Sequence, residues 1–164
     1  MGPQNALEST GYMLVSGNQN LIKKLEPPLA ALTGKLINLG EETGKVAAMK
    51  LTGNLFLVAF TAGIADTLAF ANTMNISVDE LSQLFDIWNP GAALPARLKR
   101  MTSGDYSDPS WKLEMARKDT GLIISEAANQ NTTLKIIPAA AALMDEWIKK
   151  GHGKDEWTII GKMD

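Results

Sequence analysis

The chain has 164 residues, of which 45% are apolar and 21% are charged, a composition typical of a globular protein that buries a substantial core. Its net charge of −2 excludes the strongly basic surface that binds nucleic acids or acidic membranes. The lack of cysteine excludes disulfides, and the single histidine, His152, leaves almost nothing for a metal site or a Ser–His–Asp triad. We find no secretory signal and no stretch with the length and uninterrupted apolarity of a membrane span, so we expect a cytoplasmic chain with no membrane partner.

The first forty residues predict a strand, a helix and a second strand. Tyr12 to Ser16 and Lys35 to Leu39 are short apolar runs bounded by turn residues. Asn18 is expected to cap the helix between them, which Pro27-Pro28 interrupts. Two strands make a poor independent sheet, so residues 1–40 are interpreted as the edge of a larger parallel sheet and the chain as a fragment.

Beyond Gly40 the pattern indicates helices only. Residues 43–74 contain no proline and predict one helix of roughly 45 Å. This helix is apolar over much of its circumference, which predicts burial on several sides. A capping box at Ser77 opens the next helix. Further helices are predicted over residues 94–101, 111–128 and 138–150, with a last short one from 155. The predicted fold is therefore mainly α, with a domain at 41–164 built on the long helix.

Lys50 and Asn54 are the first candidate site residues. They lie four residues apart near the start of the long helix, so both can reach the same small ligand. A lysine among apolar neighbours loses hydration and is easier to deprotonate, which suits proton transfer. The alternative is a lysine that extends from a half-buried helix into solvent.

A second candidate group comprises Trp111, Lys118 and Asp119. Spacings of seven and eight residues correspond to two helical turns, so the three side chains are expected to share a face. The alternative is a core tryptophan beside a solvated ion pair. Neither glycine-rich signature of nucleotide binding, GxGxxG or GxxxxGK[ST], occurs in the sequence.

These segments resemble the β-hydroxyacid dehydrogenase family, which includes 3-hydroxyisobutyrate dehydrogenase and is related to 6-phosphogluconate dehydrogenase. The run GKVAAMKLTGN from Gly44 to Asn54 is similar to the family's substrate-binding segment. The run WKLEMARKDTGL from Trp111 resembles its segment of an aromatic residue and a lysine–aspartate pair. The ending GHGKDEWTII is also similar. The resemblance implies a two-domain enzyme with an N-terminal Rossmann domain, of which residues 1–40 are the last part, and a helical substrate-binding and dimerisation domain over 41–164.

The resemblance also implies roles for individual residues. Lys50 matches the catalytic lysine, a general acid or base at the substrate oxygen. The matches for substrate binding are Asn54, Gly44, Trp111 and Asp119, and Lys118 matches a lysine near the cofactor. Trp111 departs from the commoner phenylalanine, which leaves substrate identity open. Imine reductases share this architecture and usually lack the lysine, so Lys50 favours a hydroxyacid or aldehyde substrate.

The expected activity is an oxidoreductase reaction of the intact enzyme. Hydride would pass between NAD or NADP and a small 3-hydroxy acid or semialdehyde, with the enzyme a homodimer or tetramer. Because the dinucleotide fingerprint is absent from this sequence, we expect the chain alone to be inactive. The alternative is a non-enzymatic helical dimerisation module, since such an apolar helix would otherwise leave a large exposed patch.

Overall fold

The structure, a computed structural model, describes residues 3–162. The chain divides into two compact units, one ending at Ala59 and one beginning at Phe60, with the boundary inside the longest helix. The helices and strands are, in chain order, α1 (Pro3–Leu7), β1 (Tyr12–Val15), α2 (Gln19–Ala31), β2 (Lys35–Asn38), α3 (Lys45–Thr73), α4 (Val78–Ile87), α5 (Leu94–Met101), α6 (Leu113–Asn129) and α7 (Ile137–Trp147). Three short segments complete the list: 3₁₀ turns at Pro90–Ala93 and Trp157–Gly161, and a π turn at Ile148–His152.

The first unit contains the predicted βαβ arrangement. Strands β1 and β2 pair in parallel, with Tyr12 opposite Lys35. Asn18 caps α2 as predicted, because its side-chain oxygen accepts a hydrogen bond from the Leu21 backbone N–H at 3.0 Å. The predicted interruption at Pro27-Pro28 is wrong, since α2 runs through both prolines to Ala31. Proline removes a backbone donor but has a helical φ, and α2 ends three residues after Pro28. Helix α1 was not predicted.

Helix α3 confirms the predicted long helix and spans 29 residues. It begins directly after Gly44, whose φ is +90°, and ends before Asn75, whose φ is +56°. The predicted burial on several sides does not occur within this chain. Large apolar side chains remain exposed along α3, with Leu55 at 70%, and only Asp66 and Ala71 are buried. These side chains have too few packing neighbours in the single chain to cover them.

The prediction that no segment has the properties of a membrane span is wrong for α3. Its most apolar window has a mean hydropathy of 1.6 and is 11% buried, so its length and composition would allow it to cross a membrane. Core helices of soluble proteins have the same length and composition. The helix therefore does not by itself indicate a membrane location.

The second unit has its core between α6, α7 and the C-terminal 3₁₀ turn. The core cluster consists of Tyr106, Leu113, Ala116, Met144, Trp147 and Ile159. The predicted capping box opens α4, because the Ser77 hydroxyl accepts from the Glu80 backbone N–H and the Ser77 N–H donates to the Glu80 carboxylate. The hydrogen bonds from the Ser77 hydroxyl and backbone hold the pKa of Glu80 below its usual value.

The helix boundaries in the second unit differ from the prediction at three places, one of them the last short helix, which begins at Trp157 rather than at 155. Helix α6 begins at Leu113, two residues later than expected, so Trp111 lies outside it. Helix α7 ends at Trp147 and is followed by the π turn. Within that turn Gly151 has a φ of +92°, which interrupts the helical backbone. The predicted fold class, mainly α with a βαβ segment before the long helix, is confirmed. The predicted domain boundary between residues 40 and 41 remains a prediction.

Candidate functional site

Lys50 and Asn54 lie one turn apart on α3 and therefore on one face of it. Both residues are exposed, so the apolar shielding predicted for Lys50 is absent in the single chain. Within residues 3–162 neither side chain has a hydrogen-bond or ion-pair partner. Lys45, five residues earlier, differs because its ammonium pairs with the Glu42 carboxylate at 3.0 Å. The Lys50 ammonium and the Asn54 amide can therefore both bind a ligand at this face without breaking an internal contact.

Gly44 immediately precedes this helix, and its backbone determines how the helix starts. Its φ of +90° lies in the left-handed region, which an L side chain adopts only under strain. Its carbonyl accepts from the Ala48 N–H at 3.0 Å, the first bond of the helical ladder. The position therefore favours glycine for conformational reasons alone, and its predicted substrate contact is a separate expectation.

Trp111 occupies the segment that enters α6. Its side chain is 41% exposed, which excludes the alternative of a core tryptophan. The Trp111 carbonyl accepts from the Trp157 N–H at 2.9 Å. The two indoles meet edge to face with ring centres 5.6 Å apart, and the Arg97 guanidinium lies 4.9 Å from the Trp157 ring centre. A half-exposed, well-supported aromatic ring is suited to contact a ligand.

Lys118 and Asp119 lie on α6 itself. Lys118 is exposed and Asp119 is half-buried, and among residues 3–162 neither side chain has an ion-pair partner. The predicted common face with Trp111 is not formed as one helix face, because Trp111 precedes the helix. The adjacent Arg117 instead makes a bidentate ion pair with Asp145 of α7, at 2.8 and 3.1 Å. That pair fixes α6 against α7 and was not predicted from the sequence.

Asp66 is a buried carboxylate that the sequence analysis also missed. It is 5% exposed and accepts hydrogen bonds from the backbone N–H groups of Lys135, Ile136 and Ile137 at 2.7–3.0 Å. Burial alone would raise the pKa of Asp66, but these three bonds and the nearby Lys135 charge outweigh it and hold the pKa below its usual value. Asp66 is the one charged residue between Lys50 and Asp79, a signal that sequence reasoning could have used.

Glu156 is a second buried carboxylate, 1% exposed, and it too was missed. It lines a cavity of about 590 Å³ in the second unit. This cavity is lined by residues of α5, of the following loop and of the C-terminal 3₁₀ turn, and none of the predicted site residues lies in its wall. Thr158 also lines it, with a buried hydroxyl that has no partner among the described residues.

Comparison with known proteins relates the chain to dehydrogenases. No family model matches it. L-threonate dehydrogenase of Haemophilus influenzae is 26% identical over 166 residues, covering 99% of this chain and 54% of the relative. A probable 3-hydroxyisobutyrate dehydrogenase of Mycobacterium bovis is 22% identical over 147 residues, covering 85% of this chain and 50% of the relative. The chain thus spans about half the length of the curated relatives it matches.

Solved structures show the same fold. An imine reductase variant from Myxococcus stipitatus, in complex with NAD⁺, superposes with a TM-score of 0.87 at 20% identity, covering 98% of this chain and 58% of that one. An imine reductase from Bacillus cereus superposes with a TM-score of 0.82 at 16% identity, over 98% of this chain and 56% of that one. At these identities the likeness concerns the fold alone.

The two curated relatives are named as hydroxyacid dehydrogenases, a class of oxidoreductases, and the solved structures share the fold of this chain. Within that class the chain fits the C-terminal part of a β-hydroxyacid dehydrogenase of the 3-hydroxyisobutyrate dehydrogenase type. The resemblance read from the sequence motifs is therefore confirmed. The roles of the individual site residues remain predictions.

Proposed function

We propose that this chain is the substrate-binding, catalytic and dimerisation part of an NAD(P)-dependent oxidoreductase. The intact enzyme would act in the cytoplasm on a small 3-hydroxy acid or semialdehyde, as a homodimer or tetramer. The observation that carries the proposal is the pair of exposed residues Lys50 and Asn54, one turn apart on α3 and unpaired within residues 3–162, in a chain with relatives named as hydroxyacid dehydrogenases. The nicotinamide cofactor, when bound, would donate or accept the hydride.

Lys50 is the proposed general acid and base. In the reducing direction its ammonium donates a proton to the substrate carbonyl oxygen, and its positive charge stabilises the alkoxide that develops there. In the oxidising direction the neutral amine accepts the hydroxyl proton. No internal carboxylate among the described residues competes for the Lys50 ammonium, so the proton-transfer group stays available to the substrate.

The remaining predicted residues would bind the reactants. The Asn54 amide both donates and accepts hydrogen bonds, so it can orient a substrate carboxylate or hydroxyl beside Lys50. Trp111 and Asp119 would line the substrate cleft, with Gly44 setting the start of the helix that carries Lys50. Lys118, exposed and unpaired within the described chain, fits the charge of a nicotinamide dinucleotide and would contact it.

The alternative is a non-enzymatic dimerisation module. The exposed apolar side chains along α3 support it, because a surface of this kind is favourable only when covered. A further relative, the cytokine-like nuclear factor N-PAC of Drosophila melanogaster, is 23% identical over 158 residues, covering 96% of this chain and 26% of that protein. Its name is not that of an enzyme. The two candidates differ in their need for Lys50, which only the enzyme uses.

The test is a chimera in which this chain follows the N-terminal half of the Haemophilus influenzae L-threonate dehydrogenase. We expect NAD(P)-dependent turnover of a small 3-hydroxy acid or semialdehyde from a panel that includes L-threonate, measured by the nicotinamide absorbance. Replacing Lys50 by methionine should lower kcat by about 10²–10⁴-fold, the usual contribution of a general acid–base group.

The matched control is Lys45→Met on the same helix, whose lysine is already paired with Glu42. This control should keep kcat within about twofold, as is usual for an exposed substitution remote from the chemistry. A chimera that folds and binds cofactor, yet turns over equally well with and without Lys50, would exclude the proposed mechanism. A chain that dimerises while its folded chimera shows no turnover on any substrate would favour the dimerisation module. Turnover by the 164 residues alone would refute the expectation that they are inactive.

A further inference from the structure

The environment of Glu156 connects the C-terminal segment to the entrance of α6. The Glu156 Oε2 atom accepts three hydrogen bonds, from the Ser110 N–H at 2.6 Å, the Ser110 hydroxyl at 2.9 Å and the Trp111 N–H at 3.2 Å. The Arg100 guanidinium lies 3.4 Å from the same oxygen. The Glu156 backbone N–H donates to the Tyr106 carbonyl at 2.8 Å. Glu156 therefore joins the C-terminal segment to residues 100–111, which lie far from it in the sequence.

A carboxylate buried to this extent is costly. Removing an ion from water is unfavourable unless hydrogen bonds and an opposite charge compensate it, and here three donors and the Arg100 guanidinium do so. Its hydrogen bonds all converge on one short segment, residues 110–111. This geometry indicates that the carboxylate fixes the position of that segment.

The position of Trp111 depends on these hydrogen bonds because the residue lies outside α6. The residue precedes α6, so its N–H is bound by Glu156 and its carbonyl by the Trp157 N–H. A neighbouring backbone hydrogen bond joins the first residue of α6 to the same C-terminal segment. In it the Leu113 N–H donates to the Asp155 carbonyl at 2.8 Å. The half-exposed indole rests on the Trp157 ring alone among the described aromatic residues. Loss of the Glu156 contact would free the backbone on one side of Trp111.

We propose that Glu156 is a positioning residue whose carboxylate sets the orientation of the Trp111 indole. The role rests on the proposed function insofar as Trp111 lines the substrate cleft. The orientation of the indole itself is measurable without substrate or cofactor. The one predicted site residue that donates a hydrogen bond to the Glu156 carboxylate within residues 3–162 is Trp111, at 3.2 Å, and Glu156 acts through it.

The experiment uses the 164-residue chain labelled with 5-fluorotryptophan and observed by ¹⁹F NMR. The sequence contains four tryptophans, each assigned by a single Trp→Phe substitution: Trp88, Trp111, Trp147 and Trp157. In Glu156→Gln we expect the Trp111 resonance to move by more than its line width or to split, with a smaller change at Trp157. The Trp88 and Trp147 resonances should stay in place.

Two further variants keep the proposal testable if Glu156→Gln fails to fold. Ser110→Ala removes one of the three donors and should move the Trp111 resonance less, in the same direction. Glu146→Gln is the matched control, an exposed glutamate on α7 that should change none of the four resonances. An unchanged Trp111 resonance in the folded Glu156 and Ser110 variants would overturn the proposal. So would equal shifts of all four resonances, which indicate a general loss of packing.

The chimera adds a functional measurement that separates this inference from the proposed function. With Glu156→Gln we expect KM for the substrate to rise at least as much as kcat falls, with cofactor affinity unchanged. If the chimera shows no turnover at all, the proposed function fails while the NMR result still decides whether Glu156 orients Trp111.

Discussion

The buried carboxylate of Asp66 tests how the C-terminal part of α3 is attached to the start of α7 within the second unit. Asp66 accepts hydrogen bonds from the backbone N–H groups of Lys135 and Ile136, which precede α7, and of Ile137, its first residue, whose N–H has no partner within the helix. Replacing Asp66 by alanine removes both acceptor oxygens and the charge that interacts with the helix dipole. We therefore expect α7 to lose its cap and its attachment to α3 together.

The size of the loss follows from these contacts. A helix cap contributes about 0.5–2 kcal/mol, and a hydrogen bond to a charged group about 1.5–3 kcal/mol. Lys135 and Ile136 are exposed residues, so water reaches part of the vacated site and the sum is not fully realised. We expect Asp66→Ala to lower the free energy of unfolding by about 3 kcal/mol, which lowers Tm by about 6–12 °C in a domain of this size. Asp66→Asn keeps the shape but loses an acceptor oxygen and should cost about 1–2 kcal/mol.

The assay is thermal and urea unfolding of wild type and variants, followed by far-UV circular dichroism at several pH values. Because the pKa of Asp66 is lower in the folded state than in the unfolded state, its carboxylate contributes stability that is fully present above the unfolded value of about 3.9. That contribution is lost as the pH falls through the folded-state pKa. The stability difference between wild type and Asp66→Asn should therefore be constant near neutral pH and shrink in acid.

The matched control is Asp86→Asn, an exposed aspartate on α4. It should change stability by no more than about 0.5 kcal/mol. If Asp66→Ala unfolds at the same temperature and urea concentration as wild type, the carboxylate does not hold α7. A stability difference that grows as the pH falls below 4 would contradict the sign of the pKa shift.

Two further predictions concern local structure. Gly151→Ala places an L residue at a φ of +92° and should destabilise the chain by about 1–2 kcal/mol, whereas Gly153→Ala, with ordinary φ and only van der Waals neighbours, should be nearly neutral. Equal unfolding midpoints for the two variants would contradict this. Asn18→Ala removes the bond to Leu21 and should cost about 1 kcal/mol, seen as faster hydrogen exchange in α2, while Asn20→Ala should leave that exchange unchanged.

Local signals in the sequence were sufficient for both strands of the first unit and for the starts of α2 and α4. The Asn18 cap and the Ser77 capping box involve residues three apart, so their partners are visible in any short window of sequence. Gly44 and Gly151 also lie at positions with a positive φ, which favours glycine. The Pro27-Pro28 interruption failed because proline weakens a helix without excluding a helical φ.

The candidate site was predictable only in part. The spacing of Lys50 and Asn54 correctly predicted that they share one helix face. The apolar neighbours of Lys50 wrongly predicted its burial, because those side chains are themselves exposed on α3. Trp111 was expected inside α6 because its spacing to Lys118 fits two helical turns. The backbone instead leaves the helix pattern there to pair with the C-terminal segment. Spacing within one helix carried no information about that pairing.

By itself the sequence determined the order and type of the main elements after α1, the local caps and the family motifs, because each depends on residues within a few positions of one another. Only the tertiary structure decided which groups stabilise those elements. Asp66 caps a helix about 70 residues away, and Glu156 binds a segment 45 to 46 residues before it. Such contacts depend on how the helices pack. Many of their donors are backbone N–H groups, which every residue except proline has, so the residue type does not indicate which of them a distant carboxylate binds.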